Sequence, residues 1–210
     1  MNNIDRFICE IDAGLRTLFA PPQSQRALPV MTTDIPVVTM DANASRESAR
    51  LMRINHAGEV CAQALYQGQA VVAKTEATRA LLQHAAREER DHLAWCQTRL
   101  NELNGSSSKL VPLFYAGSFA LGAFSGLLGD KWSMGFLVET ERQVEAHLSD
   151  HLEQLGQADP RSRQILEGMR EDEIHHAETG LDHGAVELPP PVKAAMRGIS
   201  KVMTTTTYWI

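Results

Sequence analysis

Two stretches of this chain place a glutamate and a histidine, three residues apart, inside an otherwise apolar helical stripe. One runs Leu82, Ala85, Ala86, Glu89, His92, Leu93, Cys96 and Leu100; the other runs Ile165, Leu166, Met169, Glu173, His176, Ala177 and Gly180. The spacing is that of one face of an α-helix, and that face is the one a folded chain buries. Two further segments put a single acid on such a face: Glu59 among Leu51, Asn55, Ala62 and Tyr66, and Glu141 among Leu137, Val138, Val144 and Leu148. An ionised carboxylate in a dry core costs several kcal/mol unless it is paired or bound to a metal. Four of them in one core need a common explanation.

A pair of cations supplies it. Four carboxylates and two neutral imidazoles offset the charge of two divalent ions, and the i, i+3 spacing lets Glu and His on one helical turn address the same site. A lone E-x-x-H is a weak signal. The arrangement is stronger: Glu59 precedes Glu89 by 30 residues and Glu141 precedes Glu173 by 32. The chain thus reads as two helix pairs of one plan, each giving Glu plus Glu-x-x-His, which is the ligand set of ferritin-like di-iron carboxylate proteins. The candidate metal ligands are Glu59, Glu89, His92, Glu141, Glu173 and His176. Asp172 is a candidate to hold the free ring N–H of His92. His147, with His175 and His183, is a further candidate around the site, and Tyr66 is read first as core packing on the Glu59 face.

The rest of the chain is organised around these helices. Segments from Ser45 to about Lys74, Thr75 to Leu103, Met134 to Leu155 and Pro160 to about Asp182 are predicted helical. Their stops and starts are Asn104-Gly105, Gly156, and Asp159 as N-cap before Pro160. No strand pattern is found, so the predicted fold is all-α: a four-helix bundle. Residues 3–19 suggest an amphipathic helix. Residues 20–44, with four prolines, read as an extended arm. The domain reading is an N-terminal helix and arm over 1–45 and a ferritin-like domain over 46–210.

Between the two helix pairs, residues 110–129 read LVPLFYAGSFALGAFSGLLG, twenty residues without a charge. That length can span a bilayer. A single crossing would separate the two halves of the metal site, so the segment must stay on one side. Two readings remain open and compatible: a buried crossover helix, or an interfacial segment with Phe114, Tyr115, Phe119, Phe124 and Trp132 dipping into lipid.

The net charge of −6 and the lack of a basic stripe argue against a nucleic-acid partner. Three cysteines, Cys9, Cys61 and Cys96, without C-x-x-C spacing, suggest neither a disulfide framework nor a thiolate zinc site. Acids among the apolar residues of the N-terminus are unlike a secretory signal, so a cytoplasmic location is expected.

Several runs together resemble the demethoxyubiquinol hydroxylases of ubiquinone biosynthesis: RINHAGE at 53–59, LYQGQ at 65–69, EERDHL at 88–93, VETE at 138–141 and EIHHAETGLDH at 173–183. The resemblance implies a mono-oxygenase that hydroxylates the ring of a polyprenylated quinol, with two Fe ions per chain, O2 as co-substrate and an external electron donor. It also implies peripheral attachment at the cytoplasmic face of the cell membrane and contact with other ubiquinone-biosynthesis proteins. It carries the iron ligands onto the same six residues. Two departures stand out: mitochondrial members have a Tyr where this chain has Leu148, and a longer loop before the fourth helix. The arm before residue 45 has no counterpart among these motifs. Two other functions compete: a ferroxidase or iron-handling protein without organic substrate, and a lipid-binding scaffold whose acids are merely structural.

Overall fold

The computed structural model describes residues 3–29 and 40–210; the notional arm therefore lies in part outside the described residues. Among those described there are seven helices and no strand. They are α1 (Asn3–Phe19), α2 (Ala42–Val72), α3 (Glu76–Glu102), α4 (Val111–Leu127), α5 (Asp130–Leu155), α6 (Pro160–Asp182) and α7 (Pro190–Trp209). Helices α2, α3, α5 and α6 form a ferritin-like bundle, in which α2 packs on α3, α5 packs on α6, and α4 crosses between the pairs.

Local chemistry sets the helix ends. Asp41 accepts from the Asn43 and Ala44 amides at 2.8 Å each and opens α2 three residues earlier than expected. Asp159 accepts from the Ser162 amide at 3.0 Å, with Pro160 as the first residue of α6. At the end of α3, Asn104 takes a φ of 54° and the Gly105 amide reaches back to the Leu100 carbonyl at 2.8 Å. Helix α5 starts four residues before the expected Met134, because Gly129, at φ 117°, turns the chain directly out of α4. Asp130 then accepts from the Lys74 and Thr75 amides, tying the α2–α3 turn to α5.

The crossover α4 settles part of the open question about residues 110–129. It lies along α2 through small residues: Gly122, Ser125 and Gly126 are buried. A Cβ on Gly122 would sit 2.0 Å from the Leu65 carbonyl oxygen, and one on Gly68 2.2 Å from that of Phe119, so only glycine admits this approach. The other face carries exposed Leu113, Phe124 and Leu127. Of the five aromatics expected to dip into lipid, only Phe124 is exposed. Tyr115 turns inward to donate to Gln67 Oε1, and Phe114, Phe119 and Trp132 are half-buried. No helix among the described residues is long and apolar enough to cross a membrane.

Helix α7 was not anticipated. Glu139 of α5, only 6% exposed, anchors it through Lys193 at 3.4 Å, and Tyr208 at its far end donates to Glu47 at 2.7 Å. Leu18 of α1, Tyr115 of α4 and Met203 of α7 all pack on one small cluster of Ala57, Val60, Leu93 and Val111, so the three added helices share one side of the bundle.

Candidate metal centre

Two apolar clusters fill the bundle. One holds Leu51, Met52, Trp95, Cys96, Leu100 and Leu166 among others; the other holds Leu65, Tyr66, Leu82, Met134 and Leu137. The six acids and imidazoles sit on the bundle helices between these clusters. Glu59, Glu89, Glu141 and Glu173 are at most 2% exposed, His92 is fully buried, and His176 is 6% exposed.

These residues form two overlapping quartets: Glu59, Glu89, His92 and Glu173, and Glu89, Glu141, Glu173 and His176. Within each, one ligand atom per residue lies within 4.8 Å of the others. Glu89 and Glu173 belong to both. Glu89 Oε2 lies 3.0 Å from His92 Nδ1 while its Oε1 lies 3.3 Å from His176 Nδ1. Glu173 divides its oxygens the same way, at 3.3 Å and 3.7 Å. Two acids are therefore shared, and Glu59 and Glu141 each belong to one quartet.

The outer ring nitrogens are held by acids. His92 Nε2 is 2.8 Å from Asp172 Oδ2, and His176 Nε2 is 2.9 Å from Glu88 Oε2. Each of these acids immediately precedes a bridging glutamate and reaches across to the histidine of the other helix. With Nε2 so engaged, each ring turns Nδ1 inward. Sequence reasoning named Asp172 and missed Glu88, although the same argument, an acid directly before the ligand Glu, applied to both.

Tyr66 does more than pack: its phenol, fully buried, donates to Glu141 Oε1 at 2.5 Å. His147 is not beside His92 or His176. Its ring packs on His151 at 4.0 Å between centroids, while His151 Nδ1 lies 2.9 Å from Asn55 Oδ1. Six residues beyond Glu141, His147 is turned about 240° round α5 and so leaves the ligand face. His175 is exposed, and His183 donates to the Thr179 carbonyl of its own helix end.

The donor set fits cations on the structure's own terms. Glu89 Oε1, Glu141 Oε2, both oxygens of Glu173 and His176 Nδ1 are buried without a hydrogen-bond partner. Burial pushes Glu59 and Glu141 well above the usual carboxylate range. Burial also pushes Glu89 and Glu173 up, but the two imidazoles between which they sit outweigh it and hold them below that range. Burial opposes charge on His92 and His176 too, yet the surrounding carboxylates raise both. Four buried carboxylates and two imidazoles with inward-facing free atoms are a donor set that suits two divalent ions.

Beside Glu59 opens a cavity of about 150 Å³ between α2, α4, α5 and α7, with mainly apolar walls and a few polar groups, among them Gln143 and His147. The buried His147 Nε2 has no hydrogen-bond partner, and burial lowers the pKa of the ring, which favours its neutral form.

The two Glu/His quartets in a helical bundle occur together with a full-length sequence relationship to known proteins. Residues 46–207 match the family described as ubiquinone biosynthesis protein COQ7. The chain belongs to that family. A Nitrosomonas europaea protein named 3-demethoxyubiquinol 3-hydroxylase is 54% identical over 210 residues, covering all of both chains. Proteins of the same name from an Azoarcus species and from Acinetobacter baylyi are 53% identical over 204 residues (97% of this chain, 98% of theirs) and 52% over 208 (99% and 97%). The full-length match gives the arm a counterpart that the family motifs alone did not.

Proposed function

We propose that this COQ7-family chain is a 3-demethoxyubiquinol 3-hydroxylase, inserting one atom of O2 into the ring of a polyprenylated demethoxyquinol. The observation that carries it is the pair of quartets sharing Glu89 and Glu173, with an apolar cavity opening at Glu59. The relatives' names give the substrate. Glu59, Glu89, His92 and Glu173 would hold one iron, and Glu89, Glu141, Glu173 and His176 the other. When bound and reduced by an external donor, that pair would supply the activation of O2.

The protein's part is binding, orientation and exclusion of water. The cavity accepts the apolar quinol ring, with Gln143 and neutral His147 as its polar contacts. The flanking clusters and α4 keep water from the reacting carbon. Tyr66 holds Glu141, and Asp172 and Glu88 hold the two imidazoles.

A substrate with a polyprenyl tail resides in lipid, and the added helices suit that meeting. Exposed Ile8, Ile11, Leu15 and Phe19 run along α1, Leu113, Phe124 and Leu127 along α4, and Ile199, Val202 and Trp209 along α7. These helices attach the protein peripherally to the cytoplasmic face of the cell membrane, by apolar contact, where other ubiquinone-biosynthesis proteins work on the same quinone pool.

Quinone analysis of cells lacking the chain tests the reading. Demethoxyquinone accumulates in them; the intact chain restores the normal profile and Glu173→Ala does not. An unchanged profile in cells without the chain would refute it.

A further inference from the structure

The N-terminal arm reaches the back of the metal cluster through a single side chain. Arg26 Nε lies 3.0 Å from Asp91 Oδ2, and its Nη2 lies 2.6 Å from Asp172 Oδ2 and 3.3 Å from His92 Nε2. Its guanidinium stacks 4.8 Å over the Trp95 ring. Asp91, only 5% exposed, also receives the Ser24 hydroxyl at 3.0 Å and the Gln25 amide at 2.7 Å. Three consecutive arm residues thus converge on one buried α3 carboxylate, and Arg26 continues from it to α6.

The other imidazole is backed differently. Glu88, which holds His176, faces the exposed His84 of its own helix at 3.0 Å. The two halves of the cluster, alike in their ligands, differ in what stands behind them.

We propose that Arg26 is a positioning residue for the metal held by Glu59, Glu89, His92 and Glu173, which makes the arm a working part of the metal centre. The inference rests on the two-metal reading above. Asp172 is half-buried, with part of its side chain open to solvent. A planar guanidinium pinned by Asp91 and Trp95 fixes it where it accepts from His92 Nε2. The imidazole then presents Nδ1 to the quartet and cannot turn over. Loss of the guanidinium frees Asp172 and the ring behind it, and the cost falls on one ion alone.

The test is a titration of the metal-free full chain with cobalt(II), read by calorimetry and by the visible bands of the bound ion. The intact chain takes two ions. Arg26→Gln is expected to weaken one of them by about ten- to a hundredfold, the range for lost outer partners of a ligand, and to leave the other unchanged. Asp172→Asn gives the same single loss, and combining the two adds little. Arg26→Lys, which keeps the charge but not the fork, recovers part of the loss. Glu88→Gln weakens the other ion, so the Arg26→Gln, Glu88→Gln double variant weakens both. The inference is overturned if Arg26→Gln binds both ions as the intact chain does, weakens both equally, or adds its full loss to that of Asp172→Asn. Should Arg26→Gln not fold, Arg26→Lys is judged by the same criteria. An intact chain that takes no cobalt(II) would instead refute the two-metal reading itself.

Discussion

Tyr66 on α2 donates its phenol to Glu141 on α5 at 2.5 Å, both side chains fully buried, so a ligand of one quartet is held by the helix that carries a ligand of the other. Burial, with Glu141, Glu89 and Glu173 nearby, keeps the phenol protonated and therefore a donor. A hydrogen bond to a charged group is worth roughly 1.5–3 kcal/mol. Tyr66→Phe is expected to weaken the ion at Glu141 by about tenfold or more while leaving the helical content unchanged. Metal titration and circular dichroism check both parts.

Bridging and terminal acids should differ in what they control. Glu173→Ala removes a residue shared by both quartets and is expected to abolish binding of both ions, whereas Glu59→Ala leaves one. Metal analysis of the two purified variants decides it. Because cations take the place of protons held by Glu59, Glu141, His92 and His176, loading should release protons and tighten as pH rises. Calorimetry in buffers of different ionisation heat measures that release.

In mild acid two other histidines work against the metal-free fold. Burial lowers His56 to about 4 and His151 to about 3. Both stay neutral in the folded chain, while the unfolded chain protonates them below about pH 6.5. For these two rings the unfolded state then binds more protons, so their contribution to stability falls as pH drops from 6.5 toward 4, by about 1 kcal/mol per pH unit each. It does so against the opposite trend of Glu59 and Glu141, whose protons the folded chain keeps. Urea unfolding at pH 7 and pH 5 should show a His56→Gln, His151→Asn double variant gaining stability relative to the intact chain as pH falls.

The α2–α4 seam depends on glycine. Since a Cβ on Gly122 would meet backbone rather than a movable side chain, Gly122→Ala is expected to cost about 1–3 kcal/mol, the usual range for overpacking, and to lower the melting temperature. Ala at Gly117, where a Cβ meets nothing within 4 Å, is the neutral control.

Attachment to lipid is testable by flotation. The intact chain should float with uncharged phosphatidylcholine vesicles, and a Phe124→Glu, Leu127→Glu variant should remain in the dense fraction with its metal content unchanged. Equal flotation of both would remove α4 from the membrane contact.

The bundle was legible because each functional residue interrupted a helical apolar stripe, and the ends of α3, α5 and α6 because Asn104, Gly105, Gly156, Asp159 and Pro160 are strong punctuation. Helix α7 escaped notice since it opens on three prolines and carries four consecutive threonines, which favour helix poorly. Its packing on Glu139 and the α2 face, rather than its propensity, makes it a helix. Arg26 could not be found from local pattern: it lies in irregular chain and meets Asp172 at a separation of 146 residues. Periodicity reports what an element buries, and says nothing of a contact made by a segment without period.

Hydroxylation by this chain is measured by supplying the iron-loaded, reduced protein with demethoxyubiquinol under 18O2 and analysing the quinol by mass spectrometry. The expected product is a hydroxylated ring carrying one 18O atom, formed only when iron is bound. Iron that is oxidised by O2 while the quinol is recovered unchanged would contradict it.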